Sequence, residues 1–552
     1  MRTGPPSPSA GKGPRLREDD VTAADRPQQE GGRSGDSFRS HAGSLIAGCV
    51  AIFLAMATPS LVGNITGSIA VKLTISGTEL NWAASSSGLG AALAAYLTGS
   101  LADRVGRRRM LVASAGVNAV GLVVAAFSGS LSTLIVGQVL AGVGAGGLGA
   151  ISLTMVAAAS RTAHRRPRYL AAFAASLSTG VIASAGFSAL FATESSYRGA
   201  FLALAVTAAL GMAVIALCGA ESRAERPRPI DVKGQAFLMV TLTALLWAVI
   251  QGSGTRWGEN PVIVAFLVAA AALTCFVLME RRPGSMLDLS VFRIPAFSLA
   301  TVLVLGVWFV FIGSAYLWAI RLTVAQGHTP QFAAAGLILE GVLACATGFA
   351  CRRMLSRFAG VRVLVVAGLV FLAVANTWLA LAPIENRSFS AMLGYVLFLA
   401  TGQAMTTAGV TAAAVNSVPA ALESTAAATQ EIMRVFGGPL GLAVLGGLLF
   451  SRAQSALDSR LPALRLPPGV GSTVSGINED GGAVAIVGSG FADRIPSVGR
   501  AATAGLGEGL SAAAYVATGL SVLMAVGAAV FLRNWTARPG ATPQGAKSAV
   551  PE

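Results

Sequence analysis

Charge is scarce in this sequence. Of 552 residues only 12% are Asp, Glu, Lys or Arg, about half the share found in soluble globular chains. So little charge excludes an ordinary water-soluble domain of this size. Histidine is reduced to His41, His164 and His328, all at the ends of apolar runs or between them, so neither a metal site nor an imidazole relay is expected. The five cysteines, Cys49, Cys218, Cys275, Cys345 and Cys351, fall in or beside apolar runs without metal-ligand spacing. They read as small packing residues, and no disulfide framework is expected. No phosphate-binding loop, catalytic triad or metal cluster is present, which argues against an enzyme and against an ATP-driven pump within this chain. No cofactor and no metal are implied.

What is present is hydrophobic. Apolar residues make up 54% of the chain, glycine contributes 65 residues, and the mean hydropathy is +0.67. Runs such as "LIAGCVAIFLAMATPSLVG" (Leu45 to Gly63) and "AYVATGLSVLMAVGAAVFL" (Ala514 to Leu532) approach the roughly 20 residues a helix needs to cross a bilayer. Lipid supplies no partners for backbone N–H and C=O groups, so segments of this length are helices. The pattern predicts fourteen spans, at about 43–64, 83–102, 110–128, 131–158, 169–191, 199–219, 235–251, 261–279, 297–320, 332–351, 362–382, 389–414, 434–451 and 510–532. The stretch 452–509, with several Pro and Gly and an acidic "NEDGG", reads as an irregular loop that could hold a short surface helix. Residues 1–41 and 536–552 read as disordered tails.

The net charge of +15 could suggest nucleic acid, but the basic residues are distributed as a membrane topology signal. Arg104, Arg107, Arg108 and Arg109 follow span 2; Arg161, Arg165, Arg166 and Arg168 follow span 4; Arg223, Arg226, Arg228 and Lys233 follow span 6. Arg281, Arg282 and Arg293 follow span 8, and Arg352, Arg353, Arg357 and Arg362 follow span 10. The short alternate connections hold only Lys72, Arg198, Arg256, Arg321 and Arg387. The richer set marks the cytoplasm. A multi-pass protein of the plasma membrane is expected, with both termini inside, 452–509 outside and no nucleic-acid partner.

Topology alone does not explain "GSLADRVGRRRML" (Gly99 to Leu111). Gly99, Leu101, Asp103, Arg104, Gly106, Arg107 and Arg108 match in order the signature between spans 2 and 3 of the major facilitator superfamily, which the chain resembles. The resemblance implies that this loop is a conformational latch, in which the Asp meets a helix N-terminus of the other half of the molecule, where a carboxylate is favoured. "QGSGTRWGENP" (Gln251 to Pro261), "MLDLSVFRIPAF" (Met286 to Phe297) and "TQEIMRVFGGPLGLAVLGGLLFSR" (Thr429 to Arg452) resemble the fourteen-span drug:proton antiporter branch. The implied fold is all-α, with a six-helix bundle at 42–220, two inserted helices at 221–296 and a second six-helix bundle at 297–535.

The sequence also departs from that pattern. Alignment on Asn64 puts Pro59 where the branch has an acid in span 1. Gln138 stands where a buried Arg is usual in span 4. "STGVIASAGFSAL" (Ser178 to Leu190) has small residues but no Pro in span 5. A carboxylate inside a membrane is costly unless paired, protonated or facing water, so Glu340, near the middle of span 10, is a candidate proton carrier; the alternative is a structural, hydrogen-bonded carboxyl. Gln138 is a candidate by position. Glu431 and Arg434, three apart, share a helix face and could bind substrate charge, form a gate, or pair at the cytoplasmic end, the last being favoured. Trp308, Phe311 and Tyr316 in the aromatic "LGVWFVFIGSAYLW" (Leu305 to Trp318) could wall a cavity for bulky organic molecules, while Trp318 reads as an interfacial anchor. The expected function is export of small amphipathic organic compounds in exchange for protons by a monomer. A transport-inactive sensor or scaffold, and a uniporter, are the competing readings.

Overall fold

The computed structural model describes Gly4 and residues 34–531 apart from 74, 160–165, 193–195, 224–230, 255–256, 282–288, 358–359, 419–422, 465 and 489–493. Arg161, Arg165, Arg226, Arg228, Arg256, Arg282, His164 and the tail 536–552 therefore lie outside the described residues. Helices occupy all fourteen predicted spans: α1 (Ser34–Asn64), α3 (Gly77–Val105), α4 (Arg107–Ala126), α5 (Leu131–Ala159), α6 (Arg166–Phe191), α7 (Arg198–Cys218), α8 (Val232–Gly254), α9 (Asn260–Glu280), α10 (Pro295–Ile320), α11 (Pro330–Arg357), α12 (Val361–Leu381), α13 (Phe389–Ser417), α14 (Glu423–Arg460) and α16 (Pro496–Phe531). Twelve stretches among the described residues are long and apolar enough to cross a membrane. The apolar part of α6 is shorter, Ala175–Phe191, and α3 carries a serine run, Ser85 to Ser87, that dilutes its hydropathy.

Three elements differ from the sequence expectation. A short helix α2 (Thr66–Leu73) follows α1. The stretch 452–509 is mostly helical: α14 runs on to Arg460, α15 covers Pro468–Gly488 with a break at Gly482 (φ 64°), and α16 starts at Pro496. Apolar side chains drive this, since Val474, Val484 and Ile486 of α15 are buried against α16 and α14. Finally, α1 begins at Ser34, inside the stretch read as a tail.

Local signals set several helix starts. Ser76 accepts from the Glu79 backbone N–H at 3.2 Å while Glu79 accepts from the Ser76 N–H at 2.8 Å, a reciprocal cap on α3. Pro lies in the first turn of α9 and α10, where its missing N–H has no cost.

The helices form two groups, α1 and α3–α7 in one, α10–α14 and α16 in the other, and they meet along two seams, α3 on α14 and α6 on α11. Helix α8 lies on both α3 and α14, and α9 lies outside it on α8. Large apolar side chains face outward, Leu190 at 76% exposure and Leu217 at 84% among them, the surface of a chain solvated by lipid.

Inside each group, helices approach at glycine. A β-carbon on Gly142 of α5 would overlap the Ser87 carbonyl oxygen of α3, one on Gly146 the Ala91 carbonyl oxygen, and one on Gly121 of α4 the Ala141 backbone of α5. Buried Asn118 fastens the same layer, donating to Thr58 Oγ1 at 3.0 Å and to the Ala141 carbonyl at 2.8 Å. Gly142→Val is expected to push α3 off α5, an overpacking cost of about 1–3 kcal/mol or more. It should lower the thermal unfolding midpoint in detergent, whereas the same change at Gly519, which has nothing within 4 Å, should leave it in place.

Candidate functional site

The arginine-rich turn and the centre of the bundle hold most of the candidate residues. At the turn, Asp103 ends α3 and is bonded to Arg107 Nη2 of α4 at 3.3 Å. Between them Gly106 adopts φ 123°, ψ 133°, a conformation essentially reserved for glycine. A β-carbon there would also overlap Glu221 Oε1. Glu221 lies just past α7, accepts from the Arg108 backbone N–H at 3.2 Å and pairs with Arg109 Nε at 3.7 Å. Arg107 N–H donates to the Ser222 carbonyl at 3.0 Å, and the Arg108 guanidinium to the Ala216 carbonyl. The turn is thus bracketed onto the end of α7, within one helix group. Arg104 is exposed, and Gly99 meets nothing that a β-carbon would strike.

The second site is a cavity of ≈ 190 Å³ between the two groups, lined from α1, α3, α5, α6, α10, α11, α13 and α14. Its wall is mainly Ala, Gly, Leu and aromatic side chains, and Glu340 and Arg434 are the charged residues on it. Trp308, Phe311 and Tyr316 all face it. Trp308 and Phe311 meet edge to face at 5.7 Å. The Arg434 guanidinium lies 5.0 Å over the Trp308 ring and 3.5 Å from Met56 Sδ across the cavity, so one cation touches both helix groups; stacking over an indole is favourable where water is scarce. Glu340 is buried, 6% exposed, one residue before Gly341, which abuts Ile182 of α6. The side chain of Glu431 lies outside the described residues, so its pairing with Arg434 is not seen. Arg434 itself lines the cavity.

Gln138 does not line the cavity. It is fully buried, seven positions from Ala145 on the same face of α5, and both its amide atoms lack a hydrogen-bond partner among the described residues. Trp318 is not an interfacial anchor: it is 2% exposed and stacks on Tyr395 at 4.7 Å, because its helix face turns toward α13. All five cysteines are free thiols, and no metal-binding group of His, Cys, Asp and Glu occurs among the described residues.

The sequence model described as the Major Facilitator Superfamily matches residues 47–442. The chain belongs to that superfamily. It is therefore a transport protein rather than an enzyme. The multidrug resistance protein Stp of Mycobacterium tuberculosis is 26% identical over 419 residues, covering 76% of this chain and 78% of that protein. The multidrug efflux pump LfrA of Mycolicibacterium smegmatis is 29% identical over 405 residues, 71% and 77% of the two chains. The tetracenomycin C resistance and export protein of Streptomyces glaucescens is 26% identical, covering 77% and 79%. Among solved structures, a bacterial homologue of the human lysosomal transporter Spinster superposes with a TM-score of 0.61 at 14% identity, covering 88% of this chain and 97% of its own; at that identity the likeness concerns the fold.

Several residues of a superfamily cavity went unseen in the sequence. Pro59, noted there only as a missing acid, lines the cavity, as do Met56, Asn64, Ser85, Gln403 and Pro439. The polar ones carry a readable signal, since Asn64, Asn81 and Ser85 interrupt apolar helices and all three are buried. Tyr316 Oη, Ser85 Oγ and Asn81 Oδ1 have no hydrogen-bond partner among the described residues, a cost of about 1–3 kcal/mol each. Glu221 was also missed; its signal is an acid directly after span 6, facing a basic turn.

The bracket makes two contrasting expectations. Gly106→Ala forces a side chain into a glycine-only conformation and onto Glu221, and should cost about 1–3 kcal/mol in thermal unfolding while abolishing transport. Glu221→Gln touches a largely exposed pair, 66% and 31%, and should change stability by less than about 1 kcal/mol.

Proposed function

We propose that the chain exports amphipathic organic compounds across the plasma membrane in exchange for protons, alternating the access of its central cavity. The observation that carries this is the cavity itself, where a buried carboxyl, Glu340, shares an apolar, aromatic wall with Arg434 between two separable helix groups. An apolar pocket with few polar groups suits bulky organic cargo. A carboxyl whose protonation follows its access to water is what proton coupling requires. The names of Stp, LfrA and the tetracenomycin exporter support an efflux role. The arginine-rich turn is assigned to the cytoplasm, with both termini inside and α15 outside, and the working unit is a monomer. Asp103, Gly106 and Arg107 act as a conformational hinge rather than as cargo ligands.

One observation favours a uniporter or a transport-inactive sensor instead: Pro59 and Gln138 occupy the places where the resembled branch carries an acid and an arginine. The deciding experiment is energy-dependent efflux of a cationic dye from cells expressing the wild type, Glu340→Gln or Asp103→Asn. Wild-type efflux should collapse with a protonophore. Glu340→Gln should lose at least about tenfold in rate, corresponding to roughly 1.4 kcal/mol, and lose its dependence on the proton gradient. Efflux by Glu340→Gln that still follows the gradient removes this residue as carrier. Wild-type cells that never expel dye faster than empty-vector cells, over several substrate classes, reject the exporter reading.

A further inference from the structure

At one edge of the cavity, and one helix turn behind it, three buried polar atoms have no hydrogen-bond partner among the described residues. Tyr316 of α10 is 2% exposed and lines the cavity, yet its hydroxyl makes no hydrogen bond among the described residues. Ser85 of α3, 1% exposed, also lines the cavity with a partnerless hydroxyl. One turn away on α3, fully buried Asn81 uses its amide nitrogen to hold the Ala443 carbonyl of α14 at 3.1 Å, while its carbonyl oxygen is left over. Two of these residues meet at Gly446: the place of its absent β-carbon lies 2.8 Å from the Tyr316 ring edge and 2.9 Å from Asn81 Oδ1, and Ser85 lies one turn along α3 from Asn81. Any larger residue on α14 would fill the gap between the two groups.

Buried polar atoms are otherwise hydrogen-bonded in native structures, and the same bundle shows how readily it satisfies them. Ser314 donates to Asn376 Oδ1 at 2.6 Å, and the Tyr395 hydroxyl donates to the Ser314 carbonyl at 2.8 Å. Two partnerless hydroxyls on residues of the cavity wall, with a partnerless carbonyl oxygen one turn along α3, therefore suit a group that both donates and accepts. We propose that Tyr316, Ser85 and Asn81 form a polar subsite that takes an uncharged hydroxyl of the cargo, while its aromatic body lies against Trp308 and Phe311. The cargo class is then a neutral, hydroxylated polycyclic aromatic rather than a cation alone. Asn81 and Ser85 belong to one helix group and Tyr316 and Gly446 to the other. The subsite is complete only while α3 lies against α14, so parting these helices to open the α15 side dismantles it and lets the cargo go. This deepens the exporter reading and rests on it for the release step.

The test uses two fluorescent probes that differ by one hydroxyl, 1-pyrenemethanol and 1-methylpyrene, binding to the purified full-length protein in nanodiscs and read by energy transfer from tryptophan. The wild type should prefer the alcohol by about three- to tenfold, the worth of one net hydrogen bond. Tyr316→Phe and Ser85→Ala should each reduce that preference and leave 1-methylpyrene binding unchanged. Equal affinity for the two probes in the wild type, binding of neither, or a preference that survives both substitutions overturns the subsite. So does a Tyr316→Phe variant that only gains thermal stability, the outcome of a merely buried hydroxyl. Efflux of 1-pyrenemethanol from cells separates the two readings. Preference without proton-driven efflux keeps the subsite and removes the exporter; efflux without preference keeps the exporter and removes the subsite.

Discussion

Helices in a hydrocarbon surrounding gain nothing by hiding apolar side chains from one another, because the lipid is as apolar as they are. What draws them together is contact area, and contact area depends on how closely two backbones approach. In this protein that approach is set by glycine. Gly142, Gly146 and Gly90 bring α3 and α5 backbone to backbone, Gly121 and Gly144 do the same for α4 and α5, and Gly437 and Gly441 seat α10 against α14. The two helix groups owe their rigidity to these contacts. Between the groups glycines meet side chains rather than backbone, Gly88 of α3 against Pro439 of α14 and Gly341 of α11 against Ile182 of α6.

Where close packing leaves a polar group inside, the bundle treats it in one of two ways. Several buried polar side chains fasten helices of one group to each other: Asn64 donates to Ser184 from α1 to α6 at 3.3 Å, and Tyr395 donates to the Ser314 carbonyl from α13 to α10 at 2.8 Å. A smaller set has no partner among the described residues: Tyr316 and Ser85 on the cavity wall, and Asn81, Gln138, Ser188 and Gln235 elsewhere in the helices among them. Bonds that tie helices within a group are what a protein needs if its two parts are to move as bodies around something they hold between them.

The two extra helices bear on the same seam. Leu238 and Leu242 of α8 pack with Ala92 of α3 and with Ile432 and Phe436 of α14, and Leu246 and Ile250 pack with Leu89 and Ala443. Gln235 adds a bond to the Leu93 carbonyl at 2.7 Å. Helix α8 therefore grips both groups where they meet, and α9 covers it toward the lipid. On the far side of the bundle the α6–α11 seam has no such clasp among the described contacts, so the two seams are mechanically unequal.

Much of this was legible beforehand. Scarce charge and long apolar runs determined a helical membrane protein, since backbone groups in lipid have only themselves to bond. The arginine-rich turn and its glycine followed from residue order alone, because a short turn brings its own neighbours together. The residues that were misread or missed share the opposite property. Trp318 was assigned to an interface by composition, but its burial depends on Tyr395, 77 positions later. The helical character of 468–488 depends on α14 and α16 covering its apolar face. Asn81 and Ser85 show in sequence only as polar residues in apolar helices, and Tyr316 only as an aromatic; that their polar atoms find no partner among the described residues, and that Asn81 and Tyr316 meet at Gly446, is decided by the docking of α3 on α14. Periodicity and composition act over a few turns of one chain segment, and so they determined the spans. Which side chains lack a partner is a property of the whole packed bundle, and only the tertiary structure decided it.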